Sequence, residues 1–176
     1  DLSSRLPMAR LLQGEVGSGK TIIALISLIL TAMEDQQGIL LAPTEVLAEQ
    51  HFLNLSYLVG ASIEFGNDEN IRVFKLSNEK KIALLTGSLN QKIKDKTRSM
   101  IVNNEVDIVI GTHAILQEEI SKNFSGLIVI DEQQRFGVEQ RNLLLKRDPI
   151  PNMLAMSATP IPRTLNMTLS GDLSIS

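Results

Sequence analysis

Short apolar runs alternate with longer stretches of helical periodicity along the chain. Short apolar runs near 10–13, 38–42, 81–86, 106–110, 126–130 and 153–157 predict strands. Between them, apolar residues recurring every three or four positions predict helices over 19–34, 44–59, 89–103, 112–118, 137–147 and 161–169. Alternation of this kind builds a mostly parallel sheet with helices on both faces, an α/β fold. Ser88 is the expected N-cap of the helix over 89–103, and Asn152 follows the proline-rich Asp148-Pro149-Ile150-Pro151 as the turn into the last strand. Residues 61–80, centred on Gly66-Asn67-Asp68-Glu69-Asn70, read as a surface excursion without nameable chemistry.

Two patterns in this frame carry chemistry. Gly14-Glu15-Val16-Gly17-Ser18-Gly19-Lys20-Thr21 satisfies G-x-x-x-x-G-K-[ST] between an apolar strand and the apolar run Ile22 to Leu30. Gly14, Gly17 and Gly19 let the backbone curl so that its N–H groups, with Ser18, surround phosphate oxygens at the positive end of a helix. Lys20 then reaches the β and γ phosphates, and the Thr21 hydroxyl holds Mg²⁺. The second pattern is Leu127-Ile128-Val129-Ile130-Asp131-Glu132, an apolar strand ending in two carboxylates. Such a strand points its C-terminal tip at the ligand crevice of a parallel sheet. That suits Asp131 to hold Mg²⁺ through its water shell and Glu132 to orient and deprotonate an attacking water. Alone, an acidic pair after a strand is a solvated turn; beside the Lys20 loop it is a nucleotide site.

Composition narrows the picture. The 176 residues, 43% of them hydrophobic, fit one domain with a substantial core. Cysteine is absent, which excludes disulfides and thiolate metal sites and is compatible with a reducing cytoplasm. The nine-residue stretch Ile22 to Leu30 is far short of the ~20 residues of a membrane span and reads as a buried helix behind the phosphate loop. Seventeen basic against twenty acidic residues give a net charge of −3, so the chain alone should grip nucleic acid weakly. With no Trp, one Tyr and five Phe it has no platform for stacking bases, and any contact would run through phosphates.

The remaining segments resemble, in order and spacing, the motifs of the first motor lobe of superfamily-two helicases. Ala42-Pro43-Thr44-Glu45-Val46-Leu47-Ala48-Glu49-Gln50 resembles motif Ia, Thr86-Gly87-Ser88 motif Ib, Gly111-Thr112-His113-Ala114 motif Ic and Ser157-Ala158-Thr159 motif III. The stretches Leu12 to Thr21, Arg135 to Arg141 and Thr159 to Leu165 are similar to RecG-type helicases, ATP-dependent DNA helicases that remodel stalled forks; Mfd-type translocases share Arg135 to Val138 and Thr159 to Leu165. The resemblance spans nearly the whole chain outside 61–80. It implies a RecA-like phosphate-loop NTPase lobe over 1–176, cytoplasmic, using ATP and Mg²⁺ and bound to branched DNA.

By the same resemblance, Pro43, Thr44, Thr86, Gly87, Thr112 and His113 would contact a DNA strand through its backbone. Ser157 and Thr159 would couple that track to hydrolysis, and Arg163 would touch DNA or a neighbouring lobe. Singly, each threonine fits ordinary capping or turn chemistry. His51 reads as an ordinary, partly exposed side chain on the motif Ia helix. One position departs from the RecG pattern: Gln134 stands where that pattern has histidine, keeping hydrogen-bonding capacity without ionising. The second lobe with its arginine fingers, the upstream adenine-reading motif and the fork-splitting wedge domain have no counterpart in these residues. The chain reads as part of something longer, weakly binding and nearly inactive by itself. An Mfd-like transcription-repair coupling translocase is the near alternative, and a non-catalytic nucleotide-sensing DNA-binding module and a small phosphate-loop kinase are the readings from other classes.

Overall fold

The computed structural model describes residues 7–15, 17–63, 70–75, 79–112, 115, 126–132, 151–158 and 174–175. Their elements run β1 (Ala9–Gln13), α1 (Lys20–Met33), β2 (Gly38–Leu41), α2 (Glu45–Leu58), β3 (Ser62–Ile63), β4 (Ile71–Lys75), β5 (Glu79–Leu85), α3 (Gln91–Val102), β6 (Ile108–Gly111), β7 (Leu127–Ile130), β8 (Asn152–Ser157) and β9 (Ser174–Ile175). The strands form one sheet in the order β3-β4-β5-β6-β2-β7-β8-β1-β9. Seven of them, from β5 to β9 in that order, are mutually parallel; β4 is antiparallel to β5, and β3 to β4.

The central strands are apolar on every position because the sheet is covered twice. Leu40, Ile82, Leu84, Ile108, Ile110, Leu127, Val129, Leu154 and Met156 face α1 and α2, packing with Leu25, Leu28, Phe52 and Leu55. The alternate residues Ile39, Leu41, Ala83, Leu85, Val109, Ile128 and Ile130 form a second layer with Met100 and Ile101 of α3. Each of the larger side chains contributes about 1.5–3 kcal/mol by leaving water.

Three expectations change. Residues 61–80 are not only a surface excursion: β3, β4 and the first residues of β5 extend the sheet by antiparallel pairing. Charged Lys80, 5% exposed as a residue, fits inside β5 because its ammonium bonds Asp35 at 2.6 Å and Asp107 at 3.1 Å. The α1 helix is buried along one face only, through Ala24, Leu25, Leu28, Thr31 and Ala32. Ile22, Ile23, Ile26 and Leu30 on its other face are 42–49% exposed. The N-cap of α3 is Asn90, whose side chain accepts from Ile93 N–H at 3.1 Å; Ser88 instead pairs its hydroxyl with that of Thr86 at 2.9 Å. Of the helix expected over 112–118, residues 112 and 115 are described, Ile115 as helical. Those over 137–147 and 161–169 lie outside the described residues.

Candidate functional site

One row of backbone partners crosses the sheet: Leu85 pairs with Gly111, Gly111 with Leu41, Leu41 with Ile130, Ile130 with Ala155 and Ala155 with Leu11. Because these six strands are parallel, the chain leaves each of them at the same edge, just past this row. Thr86, Thr112 and Asp131 stand in the next position of β5, β6 and β7. Pro43 and Thr44 follow β2 by two and three residues, and Ser157 and the Gly14 loop lie at the ends of β8 and β1. Two strand spacings, about 10 Å, separate the tips of β7 and β1. Register alone therefore brings the phosphate-loop residues, the acidic pair and the helicase-like threonines to one edge.

The loop has the conformation its glycines predict. Gly17 and Gly19 take φ of 86° and 87°, a left-handed region costly for other residues. A Cβ on Gly14 would meet Ser18 Oγ at 2.7 Å, so the turn closes on a space a side chain would fill. Gly19 is also the N-cap of α1, and no side chain caps the helix, leaving its first-turn amides to the loop. The Gly14 N–H donates to Ser157 O at 3.4 Å, joining the loop to β8. The Lys20 ammonium donates to Gly14 O and Glu15 O, both at 2.6 Å, and to Ser18 Oγ at 3.3 Å. A cleft of about 430 Å³ opens beside the loop, between Lys20, Thr21 and Ile22 on one side and Asn54 and Tyr57 of α2 on the other. Sequence reasoning assigned neither Asn54 nor Tyr57 to the site, because both fall on what reads as the outer surface of a helix.

At the tip of β7 the Asp131 N–H donates to Leu41 O at 2.9 Å. Glu132 has φ 52°, one of three non-glycine residues among those described with positive φ. A left-handed step at that point turns the chain sharply after the strand. His51 corrects its expectation: it is 6% exposed, and its Nε2 lies 2.8 Å from Asp131 Oδ2. The signal available in the sequence was its place on the apolar face of α2, three residues after Ala48 and four before Leu55.

At the β2, β5 and β6 tips, Thr44 caps α2, accepting from Leu47 N–H at 3.3 Å. Thr86 and Thr112 are 3% and 6% exposed, so outward contacts there fall to Gly87, Ser88 and backbone groups. Glu45 Oε1 comes within 2.4 Å of where a Gly87 Cβ would sit, bringing the Ia and Ib segments together. Ser157 is 1% exposed. His113, Gln134, Thr159 and Arg163 lie outside the described residues.

The donors suit a magnesium nucleotide. A hydroxyl and a carboxylate are the hard oxygen ligands Mg²⁺ takes, and the glycine turn fits a phosphate. Among the described residues no group of three or more His, Cys, Asp or Glu could hold a metal by protein ligands alone. Nor is any described helix long and apolar enough to cross a membrane.

The DEAD/DEAH box helicase family profile matches residues 7–168. The chain is 45% identical to the ATP-dependent DNA helicase RecG of Mycobacterium leprae over 99% of its own length and 23% of that protein's. It is 44% identical to RecG of Streptococcus pneumoniae, over all of the chain and 24% of the relative. It thus spans about a quarter of the curated relatives it matches. Among solved structures, RecG bound to a three-way DNA junction superposes with a TM-score of 0.75 at 35% identity, covering 99% of this chain and 21% of that one. A DEAD box protein from the hyperthermophile Methanococcus jannaschii, TM-score 0.63 at 22% identity over 95% of this chain and 44% of that one, shares the fold.

Proposed function

The chain belongs to the DEAD/DEAH box helicase family, and we propose that it is the ATP-binding motor lobe of a cytoplasmic, RecG-type DNA helicase that remodels branched DNA and regresses stalled forks. The observation that carries the reading is the common register row, which sets the glycine turn with Lys20 and the Asp131-Glu132 pair at one sheet edge. The 40–45% identity to RecG proteins over nearly the whole chain supports the choice of branched DNA.

In this reading Lys20 exchanges the loop carbonyls of Gly14 and Glu15 for the β and γ phosphates, while the amides of Gly17, Ser18 and Gly19 and the first turn of α1 bind the remaining oxygens. Thr21 and Asp131 hold Mg²⁺, which when bound offsets the negative charge that builds up during phosphoryl transfer. Glu132 orients the attacking water and accepts its proton. Gln134 links that site to motif III by hydrogen bonding. Pro43, Thr44, Gly87 and His113, with the backbone groups at Thr86 and Thr112, hold a DNA strand by its phosphates without reading sequence. Ser157, Thr159 and Arg163 relate that track to hydrolysis. A second RecA-like lobe, closing over the cleft, adds the arginine that speeds transfer, and a wedge domain meets the fork.

The test is ATP turnover by the full-length protein with and without three-way junction DNA. Junction DNA is expected to stimulate turnover, and Lys20→Ala or Glu132→Gln to reduce it by at least about 100-fold. Undiminished turnover in both variants, or no response to junction DNA, would overturn the reading.

A further inference from the structure

His51 sits on the face of α2 that packs against the sheet, flanked along that face by Ala48, Phe52 and Leu55, each 0–3% exposed. An apolar residue would serve packing better there, because a buried imidazole needs a partner for its polar atoms. The partner it has is Asp131: Nε2 to Oδ2 is 2.8 Å, with the two side chains 7% and 17% exposed. Donation from Nε2–H leaves Nδ1 buried, with no partner among the described residues. All the polar bonding of this buried ring is thus directed at one carboxylate. The backbone of Asp131 is fixed separately, through its N–H to Leu41 O at 2.9 Å. One bond holds the main chain at the tip of β7, and the other selects the rotamer of the side chain.

We propose that His51 is a positioning residue for the metal site, holding Oδ2 of Asp131 so that Oδ1 is presented to the water shell of Mg²⁺. The inference rests on the reading of Asp131 as a magnesium residue given above. A carboxylate free to rotate would spend part of its time turned from the ion, and hydrogen bonds to the groups around a metal commonly govern its affinity. The bond also joins α2 to the tip of β7. His51 lies seven residues, about 10 Å of helix, beyond the Thr44 cap that begins α2.

The test measures Mn²⁺ binding to the full-length protein by electron paramagnetic resonance, in the presence of a non-hydrolysable ATP analogue. His51→Leu keeps the volume and removes the donor; a loss of affinity of roughly 10- to 100-fold is expected. His51→Gln, whose amide reaches a similar position, should recover affinity to within about threefold of wild type. Affinity for the nucleotide without divalent metal should stay within about twofold in both, since the lysine loop is separate from this bond. If His51→Leu does not fold, His51→Asn takes its place: its amide falls short of Oδ2, and the same loss is expected. Wild-type Mn²⁺ affinity in the donor-less variant, alongside a weakened Asp131→Asn control, overturns the role of His51 alone. Undiminished affinity in Asp131→Asn as well overturns the metal-site reading together with it.

Discussion

The ammonium of Lys20 lies 2.6 Å from the carbonyl oxygen of Gly14, the first glycine of its own motif. With Glu15 O and Ser18 Oγ as further acceptors, this bond keeps the positive charge inside the turn and draws the loop into a ring. Removing the lysine should therefore affect ligand affinity and leave the sheet intact. Lys20→Ala is expected to weaken binding of a fluorescent ATP analogue roughly 10- to 150-fold, the worth of a hydrogen bond to a charged group, with an unchanged far-ultraviolet circular dichroism spectrum.

The two faces of α1 make opposite predictions. Leu28 is fully buried with its side chain against Gly38 of β2, so Leu28→Ala should cost about 2–5 kcal/mol in urea denaturation. Ile26, 46% exposed on the same helix, should accept Gln within about 0.5 kcal/mol.

Glycines at the site edge differ in what they do. A Cβ on Gly111 would approach Leu85 O to 2.1 Å and Ile115 Cδ1 to 2.5 Å, so Gly111→Ala has to part β5 from β6. Gly17, with φ 86° and open space around its Cβ position, faces only the conformational penalty of about 1–2 kcal/mol. Thermal melts should show a much larger fall in Tm for the first variant than for the second.

Lys80 gives the fold a pH dependence on the alkaline side. Burial, the largest single influence, lowers its pKa, but the hydrogen bonds and charges of Asp35 and Asp107 together outweigh it and raise the value above the ordinary 10.5. Below pH 10.5 the lysine is protonated in folded and unfolded chains alike, and the network contributes fully. Above that, the unfolded chain releases the proton first, and the contribution is lost as pH rises through the folded-state value. Lys80→Met should lower stability at pH 7 by roughly 1–3 kcal/mol and narrow its gap to wild type above pH 10.5.

The parts of this architecture that depend on local pattern were legible in the sequence. Doubly buried strands announce themselves as apolar runs, and all six expected strands are present to within two residues at either end. The glycine turn and the acidic pair were readable because their chemistry requires fixed residue types at fixed spacings. What escaped depended on distant partners. β4 and the start of β5 carry Arg72, Glu79 and Lys80, charges that argue against a strand until Asp35 and Asp107 are brought alongside Lys80 and the Phe52 ring beneath Arg72. The same holds for His51, whose significance comes from a carboxylate eighty positions away. Ser88 and Asn90 compete for one cap, and only the path of the chain after β5 decides between them.

The central claim is that the Lys20 turn and Asp131 serve one magnesium-bound triphosphate. Calorimetric titration of an ATP analogue into the full-length protein, with Mg²⁺ and with chelator, tests it directly. Lys20→Ala should weaken binding in both conditions, whereas Asp131→Asn should weaken it only when Mg²⁺ is present. If both variants bind the magnesium complex as wild type does, the triphosphate lies elsewhere and the account is wrong.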